Sequence, residues 1–292
     1  MIHSLASLFC LLLTVTLNMP TVQDISQIAD ASTEFSVMSY NIRYNNPGDG
    51  IYAWPNRKDR VANLIKYYQP ALLGLQEALL PQLKYLDESL PDYDWIGVGR
   101  DDGKQNGEYS PIFYRKDTFE LLEWGTYWLS ESPDKPSRGW DASLPRIMTW
   151  GRFVHKQQGD TICYFNTHFD HRGEQAREQS ALLITKKVAE VEDQSAVIVT
   201  GDFNAIPESK PYQNMVASGL LADAYHSSML PNQGAETTFS GFEVSKGLTP
   251  DRRIDYVFVG EDIRVLKHAI ITDHTQGAYP SDHLPVLAVV SL

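Results

Sequence analysis

Short apolar runs that end in polar residues are the feature that most constrains this chain. One of them, VIVTGDFN at 197–204, passes from four apolar or β-branched residues into Asp202 and Asn204. Asp and Asn are common turn residues, and Pro207 soon afterwards also suits a loop. The two side chains would nevertheless project together beyond the end of a buried strand, where binding and catalytic groups are commonly carried. The rest of the chain decides between these interpretations.

The periodicity of the sequence predicts more strands than helices. Apolar residues at helical spacing predict helices at 56–70, 81–90, 174–191 and 209–217. Strand-like segments include EFSVMSYNIRY at 34–44 and ALLGLQEA at 71–78. Residues 110–130 are predicted to form a hairpin, and residues 219–250 to be rich in loops. Hairpins mixed with strand–helix–strand units predict an α/β or α+β fold, with mixed sheets and helices outside them.

The N-terminus carries a continuous hydrophobic run from Leu5 to Leu17. The run is too short for a membrane span and has the length of a signal-peptide core. We therefore expect residues 1–31 to be a signal peptide with a short spacer, and the mature chain to be exported without an integral membrane segment. Residues 32–292 contain no repeat, low-complexity tract or linker, so we expect a single domain. We also expect the protein to be a monomer.

The charge balance bears on the class of partner. The chain has 37 acidic and 25 basic residues, which give a formal net charge of −12. Proteins that hold nucleic acid through its phosphates do so with clustered Lys and Arg. A small molecule is therefore the expected partner, and nucleic acid is a possible but not a favoured one.

Polar residues stand at the ends of most predicted strands. Singly, each has an ordinary structural role, because Asp marks turns and Glu starts helices. Together they supply four carboxylates, two imidazoles and two carboxamides: Asn41, Glu77, His168, Asp202, Asn204, Asp255, Asp282 and His283. Oxygen ligands favour Mg²⁺ or Mn²⁺, and the sequence has neither a Cys cluster nor an HExxH pattern for zinc. The set predicts an acidic metal site with histidines beside it.

Six segments carry a more specific resemblance, namely SYNIR, LQEA, FNTHFDHR, TGDFNA, RIDYVF and SDHLPV. In this order they resemble the endonuclease/exonuclease/phosphatase superfamily, over residues 34–292. NNPGDGIYAWPNRKDRV, GEYSPIFYRKD and GWDASLPRIMTW further resemble an exported bacterial subgroup of uncharacterised metal-dependent hydrolases. The resemblance implies a four-layer α/β/β/α sandwich of two packed mixed sheets, with the site at one end of the facing sheets.

The resemblance also implies a metal site. Glu77 matches the metal-binding glutamate of the superfamily, and Asn41 matches the asparagine that helps to hold metal and phosphate. Asp282 adjoins the same site. The implied cofactor is Mg²⁺ or Mn²⁺, which would act as a Lewis acid on the phosphate.

Catalytic roles follow from the same resemblance. Asp202 would orient or deprotonate the attacking water, and Asn204 would donate a hydrogen bond to a phosphate oxygen. His283 matches the phosphate-contacting catalytic histidine, and Asp255 pairs with it. His168 matches a histidine on the leaving-group side. Because a phosphate ester anion repels hydroxide, such a site must offset charge and fix an in-line geometry.

The function expected from these residues is metal-dependent hydrolysis of a phosphate monoester or diester by activated water. The alternatives are a secreted nuclease, a sphingomyelinase-like lipid phosphodiesterase and a non-catalytic binding module. Candidates for the lining of the substrate pocket are Arg43, Tyr109, Arg146, His171, Trp54 and Trp140, although most aromatic residues of the chain are expected to be core or packing residues.

Overall fold

The computed structural model describes residues 34–191 and 195–292 of the chain. The predicted signal peptide at 1–31 lies outside the described residues. Among the described residues, no helix has both the length and the apolarity that a membrane crossing requires.

Thirteen strands form the framework of the part of the chain that the structure describes. In chain order β1 to β7 are Phe35–Asn41, Leu72–Gln76, Tyr93–Ile96, Ile112–Arg115, Phe119–Trp128, Ile147–His155 and Thr161–His168. Strands β8 to β13 are Ala196–Asp202, Ala222–Asp223, Gln233–Gly234, Asp255–Val259, Arg264–Ile270 and Val286–Ser291.

The helices connect these strands. Helices α1 to α5 are Trp54–Tyr68, Leu80–Ser89, Glu174–Ala189, Lys210–Ala217 and Ala224–Ser227. Two 3₁₀ turns cover Pro47–Tyr52 and Val244–Lys246. The four predicted helices are confirmed within a few residues. Helix α1 ends at Tyr68 because Gln69 adopts a left-handed conformation, with φ of 45°, just before Pro70.

The strands build two mixed sheets. The first sheet has the order β10-β12-β13-β1-β2-β4-β3, and the second has the order β5-β6-β7-β8-β11-β9. Parallel pairing of β1 with β2 and of β7 with β8 lies at the centre of each sheet. The carboxyl ends of these four strands carry Asn41, Glu77, His168, Asp202 and Asn204, whereas Asp255 begins β11 and Asp282 and His283 precede β13.

Three apolar clusters separate four layers. Between the sheets lie Val37, Leu72, Phe153, Ile198 and Val286. The outer face of the first sheet packs on α1 and α2 through Met38, Leu73, Val61 and Leu83. The outer face of the second sheet packs on α3 and α4 through Phe165, Val199, Ile184 and Met215. The expected α/β/β/α sandwich is confirmed.

The sheets approach closely at one buried polar contact. Asn166 of β7 accepts hydrogen bonds from Gln76 at 2.7 Å and from Thr200 at 3.0 Å. Its amide donates to the carbonyl oxygen of Leu75 at 2.7 Å. Gly74 is required here, because a Cβ would lie 2.4 Å from both the Asn166 and the Thr200 oxygen atoms. This contact aligns the ends of the two sheets.

The predicted hairpin at 110–130 is wrong. Strand β4 pairs with β2 and β3 in the first sheet, whereas β5 pairs with β6 in the second. Tyr114 and Phe119, on either side of the connection, both enter the core between the sheets. The chain therefore crosses from one sheet to the other at 116–118, a choice that turn chemistry does not reveal.

Candidate active site

Strand register brings the polar ends together. In the first sheet Asn41 pairs with Gln76 on the neighbouring strand. Glu77 therefore lies one residue beyond the position opposite Asn41. In the second sheet Asp202 is the partner of both His168 and Asp255. The register therefore places an imidazole, an acid and an acid side by side on the adjacent strands β7, β8 and β11.

Three residues of this region have unusual backbone conformations. Arg43, Glu77 and Asn204 adopt positive φ angles of 55°, 60° and 46°. Such conformations cost about 1–3 kcal/mol each for residues other than glycine and concentrate at functional sites. They turn the side chains at the strand ends toward the space between the sheets.

Asn41 links the two sheets. Its amide nitrogen donates to Glu77 at 3.1 Å and to Asp202 at 2.9 Å. Its amide oxygen accepts from the backbone of Arg43 at 2.9 Å. Glu77 is also held by the backbone of Tyr44 at 3.1 Å. Asn41 thus positions two carboxylates that would otherwise repel each other.

His283 lies between two carboxylates. Its Nδ1 lies 2.9 Å from Asp255 Oδ2, and its Nε2 lies 3.7 Å from Asp202 Oδ2. Burial disfavours the imidazolium, but the charges of Asp255 and Asp202 outweigh it, so the pKa of His283 is raised. Burial, reinforced by Asp255, also raises the pKa of Asp202. His283 is therefore a cationic donor in the protein, and Asp202 is a stronger base than an exposed aspartate.

His168 occupies the other side of Asp202. Its Nε2 lies 3.5 Å from Asp202 Oδ2 and 3.2 Å from the amide nitrogen of Asn204. Asn204 also donates to the carbonyl oxygen of Phe169 at 3.1 Å. Burial, with Arg146 nearby, holds the pKa of His168 well below its usual value. The two histidines thus flank Asp202 in opposite charge states.

A group able to hold a metal ion is present. One ligand atom from each of Glu77, Asp202 and His283 lies within 4.8 Å of the others. The carboxylate oxygens of Glu77 and Asp202 fit a divalent ion of the Mn²⁺ or Mg²⁺ type, whereas His283, as an imidazolium, would act beside that ion as a hydrogen-bond donor. Of the residues predicted as ligands, Asp282 lies 3.9 Å from Arg43, and Asn41 turns its amide nitrogen to the carboxylates. The geometry thus adds Asp202 to Glu77 as a second carboxylate able to hold a metal ion, with the protonated His283 beside them.

A cavity of about 390 Å³ opens over this group. The predicted catalytic and metal residues that line it are Glu77, His168, Asp202, Asn204, Asp282 and His283. Arg43, Arg146 and His171 also line it, as expected of substrate-binding residues. Asn41 and Asp255 lie outside the cavity lining. They position Asp202 and His283, respectively, through hydrogen bonds.

The aromatic residues expected in the pocket lie elsewhere. Tyr109 is buried, and its hydroxyl donates to the carbonyl oxygen of Lys104 at 3.0 Å. Trp54 is buried against Tyr85, edge to face. Trp140 is held in a surface loop by Glu131. None of the three lines the cavity, because each is used for packing or loop structure.

Several residues that line the cavity were not predicted from the sequence. Glu108, Tyr44, Phe239 and Arg252 all line the cavity. Glu108 falls within the segment GEYSPIFYRKD, and this was the sequence feature that could have marked it as a site residue. Phe239 packs edge to face on His283 with ring centroids 5.0 Å apart, and it comes from the loop-rich stretch that had no assigned role.

Comparison with known proteins agrees with this geometry. The Endonuclease/Exonuclease/phosphatase family profile matches residues 38–283. The chain belongs to this family. Its members are phosphoesterases, so the expectation of an enzyme of that class is confirmed.

Two solved structures are similar over nearly their whole length. A family member from Bacteroides vulgatus is 41% identical with a TM-score of 0.84, and the match covers 89% of this chain and 99% of that one. A mannosyl-6-phosphatase from Bacteroides thetaiotaomicron is 40% identical with a TM-score of 0.84, covering 88% and 100%.

A curated relative matches over a shorter region. An uncharacterised protein of Acanthamoeba polyphaga mimivirus is 30% identical over 161 residues, which is 53% of this chain. The match covers 60% of the length of that relative, so this chain spans less than two thirds of it.

Proposed function

We propose that this protein is a divalent-metal-dependent hydrolase of phosphate monoesters, in which water attacks in line with the leaving group. The observation that carries the proposal is the convergence of Glu77, Asp202 and His283 to within 4.8 Å beneath an open cavity. These groups come from both sheets, and strand register brings them together at this one end.

The acidic side of the site prepares the nucleophile. A bound Mg²⁺ or Mn²⁺ would supply Lewis-acid stabilisation of charge on the phosphate oxygens. Asp202 is held by Asn41 and by the backbone of Asn204 at 2.9 Å, so its carboxylate has a fixed direction. Its raised pKa makes it a better acceptor for a proton of the attacking water.

The basic side stabilises the developing charge. Asp255 holds His283 through Nδ1, so Nε2 remains directed toward Asp202 and the cavity. As an imidazolium, His283 donates to a phosphate oxygen, and the negative charge of the transition state strengthens that bond. His168 and the Asn204 amide offer further polar contacts on the opposite side of Asp202.

A phosphate monoester is the favoured substrate. The 40% identical relative from Bacteroides thetaiotaomicron is a mannosyl-6-phosphatase and is matched over its full length. The net charge of −12 disfavours a chain that tracks nucleic acid. The cavity of about 390 Å³ is suited to a small ester.

The test is hydrolysis of four substrates by the purified protein: p-nitrophenyl phosphate, bis(p-nitrophenyl) phosphate, mannose 6-phosphate and supercoiled plasmid. We expect Mg²⁺- or Mn²⁺-dependent turnover of the monoesters that EDTA abolishes. Glu77→Gln is the matched variant, and Asp59→Asn on the exposed face of α1 is its control. Absence of metal-dependent turnover on every substrate would support a binding module instead, and faster nicking of plasmid would support a nuclease.

A further inference from the structure

A second polar cluster adjoins the cavity beyond His168. Arg100 donates to both carboxylate oxygens of Glu108, at 2.8 and 2.9 Å. Glu108 Oε2 lies 3.8 Å from His168 Nδ1, which has no hydrogen bond among the described residues. Glu108 therefore lies on the side of His168 that faces away from Asp202.

A second arginine–carboxylate pair, Arg146 with Asp170, also belongs to the cluster. Arg146, the residue before β6, is 4% exposed, and its Nε contacts Asp170 at 3.3 Å. Its Nη2 lies 2.9 Å from His171 Nδ1. Because a guanidinium only donates, Nδ1 accepts, and the proton of His171 is on Nε2. Within the described chain, Nη1 of Arg146 has no hydrogen-bond partner, although Arg146 lines the cavity.

The charges of this cluster cancel in pairs. Arg100 is neutralised by Glu108, and Arg146 is neutralised by Asp170. Burial, with Arg146 beside it, lowers the pKa of His171, so this imidazole adds no charge near neutral pH. A second phosphate or carboxylate would find no excess positive charge here. A neutral group that both donates and accepts hydrogen bonds fits better, since Glu108 accepts while Arg146 and His171 donate.

The position of the cluster relative to the metal-binding group indicates which part of a bound substrate would contact it. His168 separates it from Asp202, and the metal-binding group lies beyond Asp202. A phosphate held over Glu77 and His283 would extend its alcohol portion along the cavity toward Glu108 and Arg146. Hydroxyl groups on that alcohol are donors and acceptors at once, as the cluster requires.

We propose that Glu108, Arg146 and His171 form a subsite for the hydroxyl groups of the leaving alcohol, and that the substrates are phosphate monoesters of polyhydroxylated alcohols. The inference rests on the proposed function and adds the substrate class. Glu108 accepts from a hydroxyl, and Arg146 and His171 each donate to one. Arg100 and Asp170 are positioning residues, which hold the first two in place.

The experiment compares two substrates that share a phosphate but differ in the alcohol, mannose 6-phosphate and n-hexyl phosphate. We expect Glu108→Gln to lose at least about tenfold more kcat/KM on mannose 6-phosphate than on n-hexyl phosphate, because a charged acceptor for hydroxyls is removed. Arg146→Lys, which keeps the charge but changes the donor geometry, should show the same preference. The matched control is Asp101→Asn, an exposed acid 3.9 Å from the same Arg100 and outside the cavity lining.

Equal losses of kcat/KM on the two substrates would overturn the subsite, as would faster wild-type turnover of a sugar bisphosphate than of the monophosphate.

Binding of mannose 6-phosphate in EDTA, measured by calorimetry, separates this proposal from the proposed function. Weaker binding to Glu108→Gln than to Asp101→Asn supports the subsite even if no ester is hydrolysed. Equal binding to both variants overturns the subsite while leaving turnover of simple esters intact.

Discussion

At the scale of single residues, the site depends on how each polar side chain is held. His283 has a carboxylate on each side, and its ring packs in a T-shaped contact with Phe239. Asp255 orients the ring, and both acids favour its protonated form. The imidazole is therefore fixed in direction and charge before substrate arrives, which is the condition for electrostatic stabilisation of a transition state.

Replacement of His283 by alanine should lower kcat by about 10²–10⁴, because the donor to the phosphate is lost. The measurement is steady-state hydrolysis of p-nitrophenyl phosphate in saturating Mg²⁺, with circular dichroism to verify folding. His274→Ala, which removes an exposed histidine outside the cavity, is the control. A near-native kcat in His283→Ala would show that the assigned role is wrong.

At the scale of secondary-structure elements, one arginine of α1 ties two site loops together. Arg57 is 2% exposed and donates to four backbone carbonyl groups. Two of these belong to Ile42 and Arg43, directly after Asn41, and one belongs to Pro280, shortly before Asp282. The helix thus joins the end of β1 to the segment that leads into β13.

Substitution of Arg57 by methionine should lower the free energy of unfolding by about 3 kcal/mol, since several buried carbonyl groups lose their donor. Urea denaturation measures this difference. Arg60→Met, one turn away on the same helix, removes only exposed hydrogen bonds and should change the free energy by no more than about 0.5 kcal/mol. Similar values for the two variants would mean that the carbonyl contacts of Arg57 contribute little.

At the scale of the whole molecule, buried histidines link stability to pH. His268 of β12 is 3% exposed, and its ring packs edge to face on Tyr225. Burial lowers its pKa from 6.5 to about 4. The unfolded chain therefore binds a proton that the folded chain excludes, so this residue favours unfolding as the pH falls below 6.5.

The wild type should lose up to roughly 3 kcal/mol more stability than His268→Gln as the pH falls from 6.5 to 4, and no further difference should develop below that. Urea denaturation of both proteins across this pH range gives the difference in their free energies of unfolding. The contributions of other titrating groups are the same in both proteins and cancel in that difference. Parallel pH profiles for the two proteins would contradict the assignment.

The sequence by itself determined the chemistry of the site and most of its elements. Apolar periodicity predicted the four main helices, and the residues at strand ends predicted the acids and imidazoles that line the cavity. These predictions succeed because helical and strand periodicity are local properties of the chain, and a charged residue next to an apolar run is visible in the sequence itself.

Only the tertiary structure decided which strands share a sheet and how the strand ends meet. The assignment of β4 and β5 to opposite sheets depends on the core between the sheets, not on the residues of the turn. The distances among Glu77, Asp202 and His283 depend on register and on the close approach at Gly74. The contacts of Glu108 and Arg146 join segments far apart in the chain, and such packing leaves no periodic signal in the sequence.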